Sequence, residues 1–135
     1  MRRLFFMLFL VFLVAACAGR EAAPGEEAGE AKLHAIGVGR VITVAGNGEA
    51  GKTEGPALEA SFDEPVELVV DEEGNVYVVE YHGARVSKIS TDGMVTTVTG
   101  VNPTGNVDGP KEEARLGTPR GIVLAGDGNL YVSDW

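Results

Sequence analysis

The sequence predicts an all-β fold built from small antiparallel sheets that repeat along the chain. A shift of 54 positions aligns residues 39–81 with 93–135 without a gap, and 16 of the 43 aligned positions are identical. Within one period, four short β-rich segments are separated by turns that contain Gly, Asp and Asn. Because a single sheet of this size buries too little surface to be stable alone, neighbouring units must stack on one another.

Each predicted strand of one period has its own signature. Residues 66–70 are almost continuously apolar, which indicates a strand buried on both faces, and the segment 71–75 (DEEGN) is a turn that leads into the next strand. Residues 85–89 alternate polar and apolar side chains, which indicates one solvated face. The predicted strands are residues 66–70, 76–79, 85–89 and 95–99.

This pattern resembles the NHL-repeat β-propeller family over roughly residues 36–135. The family's phrase is a Pro-led first strand, a D-x-x-G-N turn, a Y-V strand, an R-(V/I)-x-K-I strand and a D-G turn before a strand that ends in Gly. Here the phrase runs from Pro65 to Gly100, with RVSKI at 85–89. The resemblance implies NHL-type β-propeller blades of four antiparallel strands. The Asn-His pair of the family is replaced by Gly83 and Ala84, so a contact made there in relatives is lost.

The sequence supplies only part of a ring. It holds one incoming strand, one complete blade over about residues 65–100 and two strands of the next, so about one and a half blades are present. A closed propeller needs at least four blades. We therefore expect either a truncated reading frame or fragment of a longer protein, or the assembly of several chains into one ring.

The N-terminus predicts a lipid anchor. Basic residues at 2–3 precede an apolar run over residues 4–18, which is too short for an ordinary membrane span. The run contains Val14-Ala15-Ala16-Cys17, which resembles the lipobox of bacterial lipoproteins. That resemblance implies cleavage after Ala16 and acylation of Cys17. The alternatives are an uncleaved anchor and a conventional signal peptide with an incidental cysteine.

The expected organisation is a signal peptide at residues 1–16, an acylated Cys17 with a flexible acidic tether over residues 17–35, and a propeller segment over residues 36–135. Several acyl chains, such as palmitate, on one residue make a lasting anchor. The expected location is therefore the bacterial cell envelope, outside the cytoplasm. Because Ala18 rather than Asp follows the cysteine, the outer membrane is expected where the organism has one.

Composition excludes several classes of function. The chain has 11 basic and 20 acidic residues, a net charge of −9, which disfavours nucleic acid as a partner. A single Cys excludes an intramolecular disulfide, and two His with that thiol cannot fill a four-ligand zinc site. The Gly-rich linkers do not match the P-loop spacing. Nothing in the sequence calls for a cofactor or a metal.

Most polar and aromatic residues of the repeat are expected to support the fold. Acidic residues in the hairpin turns suggest calcium, but the turn geometry of Asp, Asn and Gly explains them better. Carboxylates at equivalent strand ends are expected to accept backbone N–H groups of the next connection. His82 is expected in a surface loop, with a proton-transfer role as the alternative. Aromatic side chains are expected to fill the core or pack between blades. The other residues concerned are Asp71, Glu72, Glu73, Asp127, Glu80, Asp134, Phe62, Leu116, Tyr77, Tyr131 and Trp135.

Two functions follow from the resemblance. The favoured one is a non-catalytic module that is anchored to the membrane through Cys17 and binds a protein, peptide or glycan with the loops of one face. The alternative is an enzyme of the lactonase-like or lyase-like propeller type, with a metal in the central channel. Glu67 and Arg120, near the start of equivalent first strands, are the residues that the resemblance places near the channel. A third hypothesis is that the segment has no independent function.

Overall fold

The computed structural model describes residues 41–100 and 103–135, and within them it contains two antiparallel sheets. The first has five strands in the order β1-β5-β4-β3-β2, and the second pairs β6 with β7. None of the described residues belongs to a helix long and apolar enough to cross a membrane. The strands are β1 Gly55–Pro56, β2 Pro65–Val70, β3 Val76–Glu80, β4 Arg85–Ile89, β5 Met94–Thr99, β6 Gly121–Leu124 and β7 Leu130–Ser133.

Strands β2 to β5 form the blade that the sequence predicts, and each lies within a residue of its predicted position. The turn between β2 and β3 has the expected chemistry. The backbone N–H of Asn75 donates to Oδ1 of Asp71 at 2.7 Å, and its side-chain amide donates to Oδ2 at 2.8 Å. Hydrogen bonds from Asn75 hold the pKa of the Asp71 carboxyl below its ordinary value. Asn129 donates to Asp127 in the same way in the second sheet, so both acidic groups serve their turns.

The prediction of an incoming strand before the complete blade is wrong for the described residues. Residues 41–49 form no strand, although the repeat aligns residues 41–45 with part of β5. β5 is held by its pairing with β4, and the described residues offer residues 41–45 no such neighbour. Instead, Gly55 and Pro56 form β1, which pairs with β5 and adds a fifth strand that the sequence did not predict.

The central strands of the first sheet are covered on both faces. The segment between residues 45 and 62 covers one face, where Phe62 packs against a buried cluster that includes Val78 and Val95. The second sheet covers the other face, where Ile122 is buried against Val79 and Val86. Leu116 packs against that second cluster. The predicted stacking of units and the predicted core role of Phe62 and Leu116 are therefore confirmed.

Two burial predictions for single strands are wrong. β2 is not buried on both faces: Val66, Leu68 and Val70 are exposed because β2 is the edge strand of its sheet and the described residues place nothing over that face. β4 is not solvated on one face. Its polar residues Arg85 and Ser87 are buried, because both donate hydrogen bonds to a carboxylate inside the sheet.

The three aromatic residues expected between blades differ in their surroundings. Tyr77 packs against the cluster between the two sheets, as predicted. Its counterpart Tyr131 and the following Trp135 are exposed, with Trp135 at 92%. The reason is that no described residues form a sheet beyond β6 and β7.

The predicted signal peptide at residues 1–16, with cleavage after Ala16, lies outside the described residues, as do Cys17 and the tether over residues 17–35.

Candidate functional site at the loop edge

Several charged and aromatic side chains lie close together where β2 and β6 begin and β3 ends. We call this region the loop edge and define it as residues 61–64, 81–84 and 117–120. Tyr81 follows β3 directly, Glu64 precedes β2 and Arg120 precedes β6. Because antiparallel neighbours place the end of one strand beside the start of the next, these three positions lie at the same end of the strands.

Arg120 and Tyr81 form a contact between the two sheets. The guanidinium carbon of Arg120 lies 4.5 Å from the centroid of the Tyr81 ring, which is a cation–π geometry. The backbone N–H of Arg120 donates to the carbonyl of Ser133 at 3.0 Å, which holds its backbone beside β7. The side chain of Arg120 remains exposed, so it can also contact a ligand.

His82 and Glu64 form a second pair beside the first. His82 Nδ1 lies 2.8 Å from Oε2 of Glu64, and both side chains are about half exposed or more. The ring centroids of Tyr81 and His82 are 5.0 Å apart. The loop edge therefore presents an aromatic ring, an imidazole, a carboxylate and a guanidinium side by side.

Backbone strain is concentrated at the same edge. Within the described part of the chain, Glu64 and Ala84 are the non-glycine residues with positive φ, at 54° and 49°. This left-handed conformation is unfavourable for residues with a Cβ. Two backbone hydrogen bonds hold the loops in this conformation. The N–H of Tyr81 donates to the carbonyl of Glu64 at 2.9 Å, and the N–H of Gly83 donates to the carbonyl of Asp63 at 3.0 Å. Strain of this kind is commonly found at functional loops.

A buried ion pair forms the base of the loop edge. Oε1 of Glu80 accepts a hydrogen bond from Nε of Arg85 at 2.7 Å and another from the hydroxyl of Ser87. Oε2 of Glu80 accepts the N–H of Asp63 at 2.8 Å. All three side chains of this network are buried, so each charge is paired away from water. This pairing fixes the segments on either side of Tyr81.

In the second sheet, a strand-end carboxylate also holds the preceding linker in place. The carboxylate of Asp134 accepts the N–H groups of Gly117, at 2.8 Å, and Thr118, at 2.7 Å. Glu80 and Asp134 therefore accept backbone N–H groups, as predicted, but these groups lie in the preceding linkers and not in the next connection. The reason is that each linker returns to the end of the strand that carries the carboxylate. His82 lies in an exposed loop, also as predicted.

The two residues predicted near a channel are placed differently from each other. Arg120 lies at the loop edge, over Tyr81. Glu67 lies on β2, and its Oε2 accepts the N–H of Ile122 on β6 at 2.8 Å, so it joins the first strands of the two sheets. The described residues do not close a ring, and the position of Glu67 and Arg120 relative to a channel stays a prediction.

The sequence did not predict the contacts of Glu64 and Tyr81. Both depend on approaches between segments that are not neighbours in the chain, and no local pattern reports these. The repeat offered one signal: it aligns Tyr81 with Trp135, beside the strand-end carboxylate of each sheet. The part of the chain that the structure describes contains no group of three or more His, Cys, Asp or Glu residues able to hold a metal ion. The loop edge presents ionic, aromatic and hydrogen-bonding groups.

Comparisons with known proteins show which proteins this chain is similar to. No protein-family model matches the sequence. Human NHL repeat-containing protein 3 is 31% identical over 90 residues, which is 64% of this chain and 24% of the relative. A structural genomics protein of unknown function from Bacteroides thetaiotaomicron superposes with a TM-score of 0.62 at 32% identity, covering 67% of this chain and 24% of that one. An auxiliary nutrient binding protein from the same organism superposes with a TM-score of 0.58 at 23% identity, covering 64% and 24%.

The chain thus spans about a quarter of the length of the relatives it matches. The match to human NHL repeat-containing protein 3 extends over 90 residues. The structure of this chain adds a four-stranded antiparallel blade that packs on the next sheet. The chain is therefore similar to NHL-repeat β-propeller proteins in both sequence and fold.

Proposed function

We propose that the chain is part of a propeller that binds a protein, peptide or glycan, and that the loop edge is its binding surface. The observation that carries this proposal is the contact between Tyr81 and Arg120, beside the pair of His82 and Glu64, on a buried and fully paired base. Tyr and Arg are the side chains that most often dominate binding energy at recognition surfaces. The base holds them in place before binding, which lowers the entropic cost of association.

The fold supports a binding role. Propellers present several loops on one rigid face, and binding residues are concentrated on such loops. One protein of similar structure is an auxiliary nutrient binding protein. The guanidinium of Arg120 can bind a carboxylate of a ligand with two parallel hydrogen bonds, while the ring of Tyr81 offers an apolar face next to it.

A screen of the full chain against a glycan array and a random peptide library tests this proposal. The Arg120→Ala and Tyr81→Ala variants should bind the glycans or peptides selected by the parent at least about tenfold more weakly, which corresponds to about 1.4 kcal/mol. Lys88→Ala is the matched control, because Lys88 lies 5.5 Å from the centroid of Tyr77 at the opposite end of β3. The proposal fails if no probe binds, or if Arg120→Ala and Lys88→Ala bind alike.

We also propose that Cys17 carries a lipid that anchors the propeller to the outside of a bacterial membrane. Cys17 is the single cysteine of the chain and follows a basic and then apolar N-terminal segment. In bacteria that express the full chain, labelled palmitate should enter the parent and not the Cys17→Ser variant, which should leave the membrane fraction. Ala18→Asp should keep the label and move the protein from the outer to the inner membrane where both exist. Equal labelling of the parent and Cys17→Ser would contradict the proposal.

A further inference from the structure

The guanidinium of Arg120 is held in place but is not neutralised. Its carbon lies 4.5 Å from the centroid of the Tyr81 ring, and the side chain is exposed. Within residues 41–100 and 103–135, no group accepts a hydrogen bond from this guanidinium and no carboxylate forms an ion pair with it. The loop after β3 and the linker before β6, which carry the two residues, both belong to described sheets. The N–H donors of Arg120 are therefore available to a ligand.

The carboxylates of the loop edge and of the adjoining start of β2 already have partners. Oε2 of Glu64 lies 2.8 Å from Nδ1 of His82, and Oε2 of Glu67 accepts the N–H of Ile122 at 2.8 Å. The chain as a whole is acidic, with a net charge of −9. An exposed, unpaired cation in such a chain attracts one anionic group, whereas the surrounding carboxylates repel a ligand with many negative charges.

The pair of His82 and Glu64 offers two further acceptors. Because Nδ1 of His82 donates to Oε2 of Glu64, the neutral form of the imidazole has an acceptor at Nε2, and the carboxylate keeps Oε1. Both side chains are exposed, at 66% and 49%. The His82 ring lies 5.0 Å from the ring of Tyr81, which also carries Arg120. A ligand beside Tyr81 therefore meets a cation and two hydrogen-bond acceptors, and hydroxyl groups suit these acceptors.

The described loop edge presents no exposed aliphatic side chain. Ala84 and Pro119 are buried, and Phe62 packs against the core cluster of the first sheet. Peptides and proteins are usually held by an apolar or aromatic side chain that fills a desolvated pocket. The ring of Tyr81 is the apolar surface that remains, and Arg120 occupies one of its faces. These groups suit a ligand with hydroxyl groups better than a peptide with an apolar anchor.

We infer that the ligand of the loop edge is a glycan with one uronic acid, whose carboxylate binds Arg120 and whose hydroxyl groups bind His82 and Glu64. The inference rests on the proposed function and names the ligand class for the same surface. The guanidinium presents two parallel N–H groups that match the two oxygens of a carboxylate, and stacking on Tyr81 holds its plane before binding. The rest of the glycan should be neutral, because further carboxylates would meet the acidic surface of the chain.

Matched monosaccharides test the inference. The methyl glycosides of glucuronic acid and galacturonic acid are added to the full chain, together with the methyl ester of each, which has the same ring hydroxyls and no charge. Binding is followed by the shifts of protein amide signals in an NMR titration. At least one acid should bind at least about tenfold more tightly than its ester, because the ester cannot form the charged pair with Arg120. Equal binding of each acid and its ester would overturn the inference.

Two variants of the chain test whether Arg120 is the source of this preference. In Arg120→Gln, the acid and its ester should bind alike, because no cation remains to distinguish them. Lys88→Gln is the matched control, since Lys88 also lies over a tyrosine ring, 5.5 Å from the centroid of Tyr77, at the opposite end of β3. Lys88→Gln should keep the preference of the parent. A preference that survives Arg120→Gln, or that is lost in Lys88→Gln, contradicts the inference.

Further outcomes separate this inference from the proposed function. If neither acid binds, while peptides or neutral glycans from the screen bind and depend on Arg120, the ligand class is wrong and the proposed function stands. If no probe of any kind binds, both are wrong. The methyl glycoside of glucose 6-sulfate tests the charge alone. If it binds as tightly as the acids, the loop edge binds anions in general and the inference of a uronic acid is wrong.

Discussion

Glu80 carries a carboxylate that is fully buried between β3 and β4, and its partners determine the shape of the loop edge. Burial of an unpaired charge is costly, and this carboxylate is paired on both oxygens. Arg85 and Ser87 bind one oxygen and the backbone of Asp63 binds the other. A single residue therefore connects β3, β4 and the linker before β2, and it holds Tyr81 in position.

Removal of the partner cation should be strongly destabilising. Arg85→Met leaves Glu80 buried without its countercharge, so we expect the free energy of unfolding to fall by about 3–5 kcal/mol, measured by urea denaturation. Lys88→Met is the control on the same strand, where a more exposed cation over Tyr77 contributes less than about 1 kcal/mol. Losses of the same size in the two variants would contradict the buried pair as the source of stability.

Gly83, at the position of the Asn in the family's Asn-His pair, lies close to Glu80 and leaves little room for a side chain. A Cβ added at Gly83 would lie 2.7 Å from Cβ of Glu80 and 2.9 Å from its Oε2. Gly83→Ala should therefore lower the free energy of unfolding by about 1–3 kcal/mol in thermal or urea unfolding. Gly126→Ala is the matched control, since no atom lies within 4 Å of the added Cβ, and it should change stability by less than about 1 kcal/mol. If Gly83→Ala is as stable as Gly126→Ala, the close contact does not restrict this position.

At the scale of strands, features that depend on local sequence were predicted, whereas features that depend on a neighbouring strand were not. The positions of β2 to β5 were predicted because β-branched runs and Asp-Gly or Gly-Asn turns are local properties of the sequence. β1 was not predicted, since Gly55 and Pro56 form a strand only through pairing with β5. The burial of β4 was also missed. The alternation of polar and apolar residues over 85–89 is typical of a strand with one solvated face, and it gives no sign that Arg85 and Ser87 bind the buried carboxylate of Glu80.

The same distinction applies to the candidate site. Arg120 and His82 were identified as candidates from the sequence, but their contacts with Tyr81 and Glu64 were not predicted. The contact of Arg120 with Tyr81 joins two different sheets, and its geometry depends on how those sheets stack. Side-chain pairs of this kind are not encoded by spacing within one repeat.

The linker before β2 is attached to β5 by a hydrogen bond that should respond to pH. Oε1 of Glu54 accepts the N–H of Thr97 at 2.7 Å. Hydrogen bonding from Thr97 holds the pKa of the Glu54 carboxyl below its ordinary value of 4.5. The folded state thus favours the carboxylate, so this contribution to stability is complete above the ordinary pKa and is lost as the pH falls through 4.5 and then through the lower pKa of the folded state.

Melting temperatures of the parent and Glu54→Gln should therefore converge on acidification. We expect the parent to melt higher at about pH 6 and the difference to shrink as the pH falls below the ordinary pKa of 4.5, measured by circular dichroism. Asp108→Asn is the matched control in the second linker, and its curve should stay parallel to that of the parent. A gap between parent and Glu54→Gln that is constant over this range would exclude the charged hydrogen bond as its cause.

At the scale of the whole molecule, the unit of stability is a pair of stacked sheets. Val79 and Val86 of the first sheet meet Ile122 of the second, and Glu67 accepts the N–H of Ile122 beside them. This packing brings Arg120 to Tyr81, so the proposed recognition surface exists only when neighbouring sheets stack.

The repeat provides a direct test of this stacking. Leu68 on β2 and Ile122 on β6 are counterparts 54 residues apart, yet Leu68 is 56% exposed and Ile122 is 3% exposed. Only Ile122 lies between two described sheets. Ile122→Ala should therefore lower the free energy of unfolding by about 2–5 kcal/mol, as expected for a large residue removed from a core. Leu68→Ala should cost less than about 1 kcal/mol, since its side chain is half in solvent.

Both variants should be measured by urea denaturation of the full chain, with analytical ultracentrifugation at the same concentration. If Leu68→Ala costs as much as Ile122→Ala, then Leu68 is buried in solution and another sheet covers β2. If neither variant changes stability, the two sheets do not stack in solution. Because the contact of Arg120 with Tyr81 depends on that stacking, Ile122→Ala should also weaken binding at the loop edge, whereas Leu68→Ala should leave it unchanged.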